Sequence, residues 1–293
     1  MKALIIAEHA AAAAELVAGA RTMADEVVAI SFGGAYECGA DKVLNITVPE
    51  GLTVDSAVET VNAAFDAENP EVVLVEACRH MKVIAGSLAF HADTAVITDV
   101  TAFEAEGAKS MYFGGIAERV QKAAGNVAIY TVGAGVLDGA EGANGSVAEQ
   151  EWVAPARPVK VVSSQVIEKS GVNLFKADVV VAAGRGFAEE SQLSMANDLC
   201  DKLGAGLACS RPLTEGVNWL PTERYVGVSG LMLTPKAYIA VGISGQMQHM
   251  VGCNRSGAIF AINKDKNAPI FKQCDFGLIG DIKDVLPAIT AAL

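Results

Sequence analysis

The sequence predicts an α/β protein built from two doubly wound domains, each with a parallel sheet. Two observations predict this class: short runs of Val and Ile recur along the chain, and helix-like stretches lie between them. Hydrophobic residues make up 52% of the 293 residues, while aromatic residues contribute only 6%. Short aliphatic runs among Ala and Gly are typical of buried parallel strands with helices packed on both faces.

Composition and charge exclude several classes of protein. Asp and Glu number 34 against 22 Lys and Arg, which gives a formal net charge of −12. Because a nucleic-acid-binding protein needs a basic face, we expect no nucleic acid among the partners. Mean hydropathy is +0.34, yet no apolar run approaches the roughly 18 residues of a membrane-spanning helix. We therefore expect no membrane insertion.

The first residues contain a short apolar run, which ends at Glu8. A secretory signal has a longer apolar core and a cleavage site, so we expect a first strand here and a cytoplasmic protein. The six cysteines form no short-spaced pair, and we expect free thiols that pack as small core residues. The four histidines form no HxxxH or HxH pair. The sequence accordingly predicts no metal site.

The first half alternates strand-like and helix-like stretches, as expected for a βα protein. Apolar residues recur at helical spacing over residues 56–65 and 82–90. The strand-like runs cover residues 27–30, 43–48, 72–75, 96–98 and 127–132. Residues 133–146 are rich in glycine and lack the full G-x-G-x-x-G motif, so they predict a flexible loop.

A domain boundary is predicted where residues 152–158 contain two prolines and suggest an extended linker. The first domain then covers residues 1–157 and the second covers residues 158–293. In the second domain, strand-like runs cover residues 159–167, 178–183, 238–243 and 258–262. Apolar faces predict helices over residues 189–203 and 281–293.

Unusual residues come after two strand-like runs of the second half, where ligands bind in open α/β sheets. Gly184, Arg185 and Gly186 come first, and their glycines permit a close backbone approach to a ligand. Arg185 is suited to a phosphate, although a tight turn with an exposed arginine explains the residues equally well. Ser210 and Arg211 lie after a small apolar run. Arg211 is interpreted either as a guanidinium held in place for a ligand or as a salt-bridged surface arginine.

The run YIAVGI ends at Gly242 and Ile243, and Ser244 and Gly245 come next, before a predicted helix. The first turn of a helix offers unpaired amides and a positive dipole end, which suit a pyrophosphate. Gln248 and His249 lie within the first turn or so of this predicted helix, so we expect them to face the same ligand. A lone histidine is more often a structural residue, but the position of His249 beside an anion-binding turn makes a ligand-binding role equally well supported.

Asn263 ends the strand-like run 258–262, and Asp275 comes before Phe276 and Gly277 further along the chain. They are interpreted either as ordinary turn residues or as contacts to a ribose or an adenine edge. Together with the earlier strand ends, they predict a dinucleotide site in the second half. Because no nucleophile, carboxylate pair or metal cluster is evident, we expect a bound cofactor to carry the chemistry.

The stretch 238–263, YIAVGISGQMQHMVGCNRSGAIFAIN, resembles the signature of the electron transfer flavoprotein alpha subunit. Residues 184–186, 210–211, 224–227 and 268–271 match the family pattern in order and spacing. The resemblance is strong over residues 158–293. The first half resembles the family more loosely, through Asp99 and residues 111–115. The stretches CSRP and RYVGVSG most resemble the carnitine-associated, Fix-type branch.

The resemblance implies FAD in the C-terminal, DHS-like domain and an N-terminal domain similar to adenine-nucleotide hydrolases. It implies a heterodimer with an electron transfer flavoprotein beta subunit. It also implies an electron carrier rather than a stand-alone enzyme, with an acyl-CoA dehydrogenase or a CoA-linked reductase as its redox partner. The alternatives are an adenine-nucleotide-binding module without redox function and an NAD-dependent dehydrogenase, which the missing glycine motif disfavours.

By resemblance, Arg211 lies over the flavin ring and His249 lies near its O2 edge. The family often has Gln-Thr where this chain has Val228 and Ser229, and Ser229 keeps a hydroxyl near flavin N5. By the same resemblance, Arg185, Ser244 and Gln248 contact the phosphates and the ribityl chain. Asn263 and Asp275 are implied to contact the cofactor towards its ribityl–phosphate and adenine end. The complete set of candidate cofactor-binding residues is Gly184, Arg185, Gly186, Ser210, Arg211, Ser229, Gly242, Ile243, Ser244, Gly245, Gln248, His249, Asn263, Asp275 and Phe276.

Overall fold

The computed structural model describes residues 1–138, 142–165 and 172–293. The chain forms two compact units, Met1–Tyr112 with Glu118–Val166 and Phe113–Ala117 with Ile167–Leu293. Each unit contains a sheet of mainly parallel strands, and helices pack on it. The predicted α/β class is therefore confirmed.

The first sheet has nine strands in the order β7-β6-β5-β8-β4-β1-β2-β3-β9. The strands are β1 Lys2–Ile6, β2 Glu26–Phe32, β3 Lys42–Ile46, β4 Val72–Glu76, β5 Val96–Glu104, β6 Gly107–Tyr112, β7 Ala117–Gln121, β8 Ala128–Val132 and β9 Ser146–Glu149. The helices are α1 Ala10–Ala20, α2 Val58–Glu68 and α3 Arg79–His91. β5 and β6 pair antiparallel, whereas β1 pairs parallel with both β2 and β4.

Alternation along β1 explains the layered packing of the first unit. Ala3 and Ile5 lie in one hydrophobic core, while Leu4 and Ile6 lie in a second core. Successive side chains of a strand point to opposite faces, so a strand that is apolar throughout is buried on both. Residues of α1 pack in the first core, and residues of α2 and α3 pack in the second.

The segment after residue 158 differs from the prediction of a strand in the second sheet. The Val161 amide donates to the Gly51 carbonyl at 2.9 Å, and the Thr53 amide donates to the Val159 carbonyl at 3.1 Å. These bonds attach the segment to the loop before α2, in the first unit. Residues 166 and 167 of the predicted strand lie outside the described residues, as do residues 139–141 of the predicted glycine-rich loop.

The second sheet has five parallel strands in the order β11-β10-β12-β13-β14. These strands are β10 Val179–Ala183, β11 Gly206–Cys209, β12 Ala237–Val241, β13 Ala258–Asn263 and β14 Phe276–Ile279. The helices of this unit are α4 Leu193–Leu203, α5 Met247–Met250 and α6 Ile282–Ala292. A turn of π-helix, Pro212–Gly216, lies after β11.

The strand order reverses at β10, because β11 lies on one side of it and β12 on the other. In open α/β sheets, ligands bind outside the carboxyl ends of the strands at such a reversal. Ala183 pairs with both Cys209 and Val241, so the three strands end at the same level. The loops after these three strands consequently lie side by side.

The predicted apolar faces of the two long helices are confirmed in the second unit. Leu193, Ala196, Leu199 and Cys200 of α4 are buried, and they share one core with Leu286 of α6. In the part of the chain that the structure describes, no helix is long and apolar enough to cross a membrane.

Candidate functional site

A cavity of about 670 Å³ opens at the carboxyl end of the second sheet. This volume is in the range of sites for small molecules and cofactors. The walls come from the loops after β10, β11, β12 and β13 and from the start of α6. Ten of the predicted residues line it: Arg185, Gly186, Ser210, Arg211, Gly242, Ile243, Ser244, Gln248, His249 and Asn263.

Three glycines let two neighbouring strand ends approach each other closely. The Gly184 amide donates to the Val241 carbonyl at 2.8 Å, and the Gly186 amide donates to the Gly242 carbonyl at 2.9 Å. Gly242 has φ +64, and a Cβ there would lie 2.6 Å from Gly186 Cα. The glycines are thus required for the contact between two backbones, in addition to any approach of a ligand.

The loop after β12 has a row of free backbone donors, and Ser244, Gln246 and Gln248 of this row line the cavity. The amides of residues 244–248 have no hydrogen-bond acceptor among the residues that the structure describes. The predicted helix after β12 is present as α5, but it has only four residues, so its dipole contributes little. The donors come instead from the loop and from the single helical turn. Gly245 has φ +81 and packs on the backbone of Ile270.

Charged side chains of both signs surround these amides. Arg185, Arg211 and Lys264 line the cavity together with Asp265 and Asp281. The Arg211 Nε donates to Glu215 Oε2 at 2.6 Å. This arginine is therefore both a salt-bridged surface residue and a wall of the cavity. Asp281 is already engaged, because its Oδ1 accepts from the Lys283 amide at 3.0 Å at the start of α6.

His249 is a deeply buried titratable side chain of the cavity wall, and only 7% of its surface is exposed. Its Nε2 lies 2.9 Å from the hydroxyl of Tyr238, which is itself fully buried. Its Nδ1 is buried without a hydrogen-bond partner in the described part of the chain. Burial lowers the pKa of His249 to about 4, a change that the nearby backbone of Val226 only partly offsets. The ring is consequently neutral near pH 7.

Ser210 and Asn263 belong to the wall but are tied to the protein. Ser210 is 9% exposed, and its amide donates to the Ala183 carbonyl at 2.9 Å. Asn263 Nδ2 donates to the Ile243 carbonyl at 2.9 Å, and its Oδ1 accepts from the Asp265 amide at 3.0 Å. Asn263 thus connects the loops after β12 and β13.

Five predicted residues do not line the cavity: Gly184, Ser229, Gly245, Asp275 and Phe276. The Ser229 hydroxyl lies 3.3 Å from the Tyr225 hydroxyl, and it is Val228 that lines the cavity. Asp275 Oδ2 accepts from the Ile259 amide at 2.7 Å, and Phe276 stacks on Phe260 with ring centroids 5.0 Å apart.

Asp275 and Phe276 lie at the start of β14, whereas the cavity lies beyond the ends of parallel strands. The two residues are consequently at the opposite edge of the sheet, and they do not share the site predicted for them.

The cavity also contains residues that were not among the candidates. They are Pro212, Tyr225, Val228, Gln246, Lys264, Asp265, Ala268, Pro269, Asp281 and Ile282. Several of them lie directly after a strand in the sequence, as Lys264 lies after β13. Asp281 and Ile282 gave no such signal, since only the packing of α6 brings them to the cavity.

Comparisons with known proteins agree with this architecture. A family model described as the electron transfer flavoprotein domain matches residues 3–157, and the electron transfer flavoprotein FAD-binding domain matches residues 173–254. Protein FixB of Escherichia coli O157:H7 is 38% identical over 293 residues, which is 95% of this chain and 94% of the relative. Protein FixB of Shigella flexneri is similar to the same extent, at 38% identity over 95% of this chain.

The fold and the cavity thus define a two-unit α/β flavoprotein with an FAD-binding domain in its second unit. The chain belongs to the electron transfer flavoprotein alpha family. The residues in the cavity fit FAD, because amides and arginines suit a pyrophosphate and the buried Nδ1 of His249 needs a polar partner. The role in electron transport and the cofactor follow from this membership.

Proposed function

We propose that this chain is the alpha subunit of an electron transfer flavoprotein and works as a heterodimer with a beta subunit. It passes electrons, one or two at a time, between a dehydrogenase or reductase of the acyl-CoA or carnitine-CoA type and another redox protein. The observation that carries the proposal is the cavity in which free amides, two arginines and a buried, half-satisfied histidine meet. We propose a carrier function in the cytoplasm rather than a stand-alone catalyst.

Bound FAD supplies the reversible uptake of one or two electrons. The amides of Ser244, Gln246 and Gln248 are suited to the pyrophosphate oxygens, since these residues line the cavity and their amides are donors without a partner in the described chain. Arg185 adds a positive charge at the same edge. These groups bind and orient the cofactor without taking part in its chemistry.

His249 is suited to act as a neutral hydrogen-bond donor to the ring system. The Tyr238 hydroxyl lies 2.9 Å from Nε2, and we propose that it donates to this nitrogen. The ring proton is then on Nδ1, the atom that lacks a partner in the described chain. A neutral donor stabilises negative charge that develops opposite it, but less strongly than an imidazolium would. Tyr238 is then a positioning residue that acts through His249.

Arg211 is the cationic group in this arrangement. Its side chain is 60% exposed and its guanidinium is paired with Glu215, so solvent and the carboxylate screen the charge. We expect it to favour the reduced, more negative flavin. Pro212 restricts the backbone next to it, and the turn Pro212–Gly216 places Glu215 within reach of Arg211.

The proposal is tested by an absorption spectrum of the chain purified together with its beta-like partner, with stepwise reduction by dithionite afterwards. We expect flavin absorption bands that bleach on reduction. A colourless complex that also fails to take up added FAD would contradict the proposal. It would favour an adenine-nucleotide-binding module without redox function.

A pair of variants separates the role of Arg211 from that of its salt bridge. Arg211→Ala should bind FAD but shift its reduction potential to a more negative value, since a positive charge near the reduced flavin is lost. Glu215→Gln removes the screening carboxylate and keeps the arginine, so it should shift the potential in the opposite direction. Equal potentials in both variants and the wild type would exclude an electrostatic role for Arg211.

A further inference from the structure

A second group of reactive side chains lies in the first unit, beyond the carboxyl ends of β1 and β4. We refer to it as the β1–β4 cluster, and it consists of Glu8, His9, Glu76, Cys78 and His80. β1 and β4 are parallel neighbours, with Ile6 opposite Val75. The segments after the two strands therefore leave the sheet side by side.

Three of these side chains converge closely enough to share one ion. One ligand atom from each of Glu8, His9 and Cys78 lies within 4.8 Å of the other two. Cys78 Sγ is 3.3 Å from Glu8 Oε2. With ligand bonds of about 2.0 to 2.3 Å, the ligand atoms of a tetrahedral zinc site are roughly 3.3 to 3.8 Å apart. Small side-chain movements are therefore sufficient to form such a site.

Glu76, the last residue of β4, contacts both Glu8 and His9 of the cluster. Its Oε1 lies 2.7 Å from His9 Nδ1, and its Oε2 accepts from the amides of Glu8 at 2.8 Å and His9 at 3.1 Å. A carboxylate on one ring nitrogen is the usual way in which a metal-binding histidine is oriented. Nε2 of His9 is left to bind an ion.

Charge and access favour a cation at this position. Among the residues that the structure describes, no Lys or Arg pairs with Glu8 or Glu76, and their partners are His80 and His9. His9 is 66% exposed at its side chain, whereas Glu8 is only 22% exposed. A recess of about 90 Å³, lined in part by Glu76 and Cys78, adjoins the cluster. It has room for a water molecule as a fourth ligand.

We propose that the β1–β4 cluster binds one Zn²⁺ ion through Glu8, His9 and Cys78, with Glu76 as the positioning residue of His9. A thiolate, an imidazole and a carboxylate together are ligands that zinc accepts, and three protein ligands leave one position open. Without an ion, the Cys78 thiol donates to Glu8. On binding, this proton is released to solvent and the thiolate sulfur bonds to the metal. The ion joins the ends of two central strands of the first sheet.

The test uses the full chain with its cofactor, first treated with a chelator and then titrated with Zn²⁺ alone. We expect calorimetry to give one equivalent of bound zinc. X-ray absorption at the zinc edge should show one sulfur neighbour at about 2.3 Å with nitrogen and oxygen neighbours at about 2.0 to 2.2 Å. Zinc uptake below one equivalent, or a bound ion without a sulfur neighbour, would overturn the proposal.

Matched variants assign the ligands. Cys78→Ser and His9→Ala should each lower the zinc affinity by about tenfold or more. Cys274→Ser is the control, because Cys274 is likewise a free, half-buried thiol but lies in the second unit. His9 is largely exposed, so His9→Ala should keep the FAD content and circular dichroism of the wild type. Undiminished affinity in Cys78→Ser or His9→Ala would refute the proposed ligand set.

Discussion

The two units of this chain place polar side chains at equivalent positions, yet the resulting sites differ in charge and in size. In the second unit, amides, arginines and a buried histidine line a cavity of about 670 Å³ beyond the reversal of strand order. In the first unit, two carboxylates, two imidazoles and a thiol lie beside a recess of about 90 Å³. The first arrangement suits an anionic dinucleotide, and the second suits a small cation.

The comparison shows that the carboxyl edge of a parallel sheet can suit either an anion or a cation. The residues that come after the strands decide which of the two it suits. After β12 the chain presents backbone donors, because Gly245 with φ +81 turns the loop. After β1 the amides of Glu8 and His9 are already used by the carboxylate of Glu76. No donors of this kind remain at those two positions to attract a phosphate.

The largest effect is expected when a side-chain carbon is added where the backbones after β10 and β12 touch. Gly242→Ala adds a Cβ in the left-handed region, against Gly186 Cα. We expect a loss of about 2 to 5 kcal/mol in the free energy of unfolding, from backbone strain and overpacking together. Urea denaturation measures this loss, and FAD content should fall in parallel.

Gly216→Ala is the control for this change, because a Cβ there meets only Pro212 Cβ at 4.0 Å. The zinc affinity of the first unit should not change in Gly242→Ala. A wild-type unfolding midpoint in Gly242→Ala would show that the two backbones separate easily.

A second prediction concerns the pH dependence of stability that the buried ring of His249 causes. The ring of His9, by contrast, is exposed. The pKa of His249 is lowered from 6.5 to about 4 in the folded state, so the unfolded chain binds the extra proton first as the pH falls. The stability that the neutral ring contributes is fully present above pH 6.5 and is lost between pH 6.5 and 4. Between pH 7 and pH 5 we expect a loss of about 2 kcal/mol from this residue.

The measurement is the free energy of unfolding at both pH values for the wild type and for His249→Asn. The difference between the two proteins isolates the histidine from the carboxylates that titrate nearby. If the variant loses as much stability as the wild type over this range, His249 is not buried in its neutral form.

A third prediction concerns the hydroxyl that holds the proton of His249 in place. Tyr238→Phe removes the partner of Nε2 and leaves that buried nitrogen unsatisfied, so we expect a loss of about 1 to 3 kcal/mol in stability. Nitrogen-15 NMR of histidine rings should show the proton on Nδ1 in the wild type and a larger share on Nε2 in the variant. A wild-type ring with its proton on Nε2 would contradict the proposed orientation.

The smallest effect is expected at Phe276, a predicted cofactor contact that lies at the sheet edge opposite the cavity. Phe276→Ala removes a stacked partner of Phe260, and the side chain of Phe276 is already 60% exposed. We expect a loss of about 1 kcal/mol in stability and an unchanged dissociation constant for FAD, measured by fluorescence titration. Weaker FAD binding in this variant would show that Phe276 contributes to the cofactor site.

Ten of the fifteen candidate residues line the cavity, because most of its wall lies next to strands in the chain. The run YIAVGI and the residues after it form a single contiguous stretch, so β12 and the loop behind it were both identifiable. Ser229 was misplaced because a one-residue difference in a loop decides whether Val228 or Ser229 faces the cavity. Asp275 and Phe276 lie at the other edge of the sheet, at the start of β14, a strand that was not predicted from the sequence.

The first unit was less predictable, for two physical reasons. α1 was not predicted, since alanine-rich residues 10–20 favour a helix but carry no strong apolar period. The β1–β4 cluster joins residues that are 70 positions apart, as Glu8 and Cys78 are. Metal ligands of this kind have no short spacing in the sequence, and only the pairing of β1 with β4 brings them together.

The cavity of the second unit has a consequence for the order in which the chain is made. Arg185 and Ile282 both line it, although they are about one hundred residues apart. During synthesis the first of these residues leaves the ribosome well before the second, and domains generally fold as the chain emerges. The cofactor pocket is therefore completed only after α6 has emerged. FAD loading is expected to be a late event, which a nascent chain lacking α6 cannot complete.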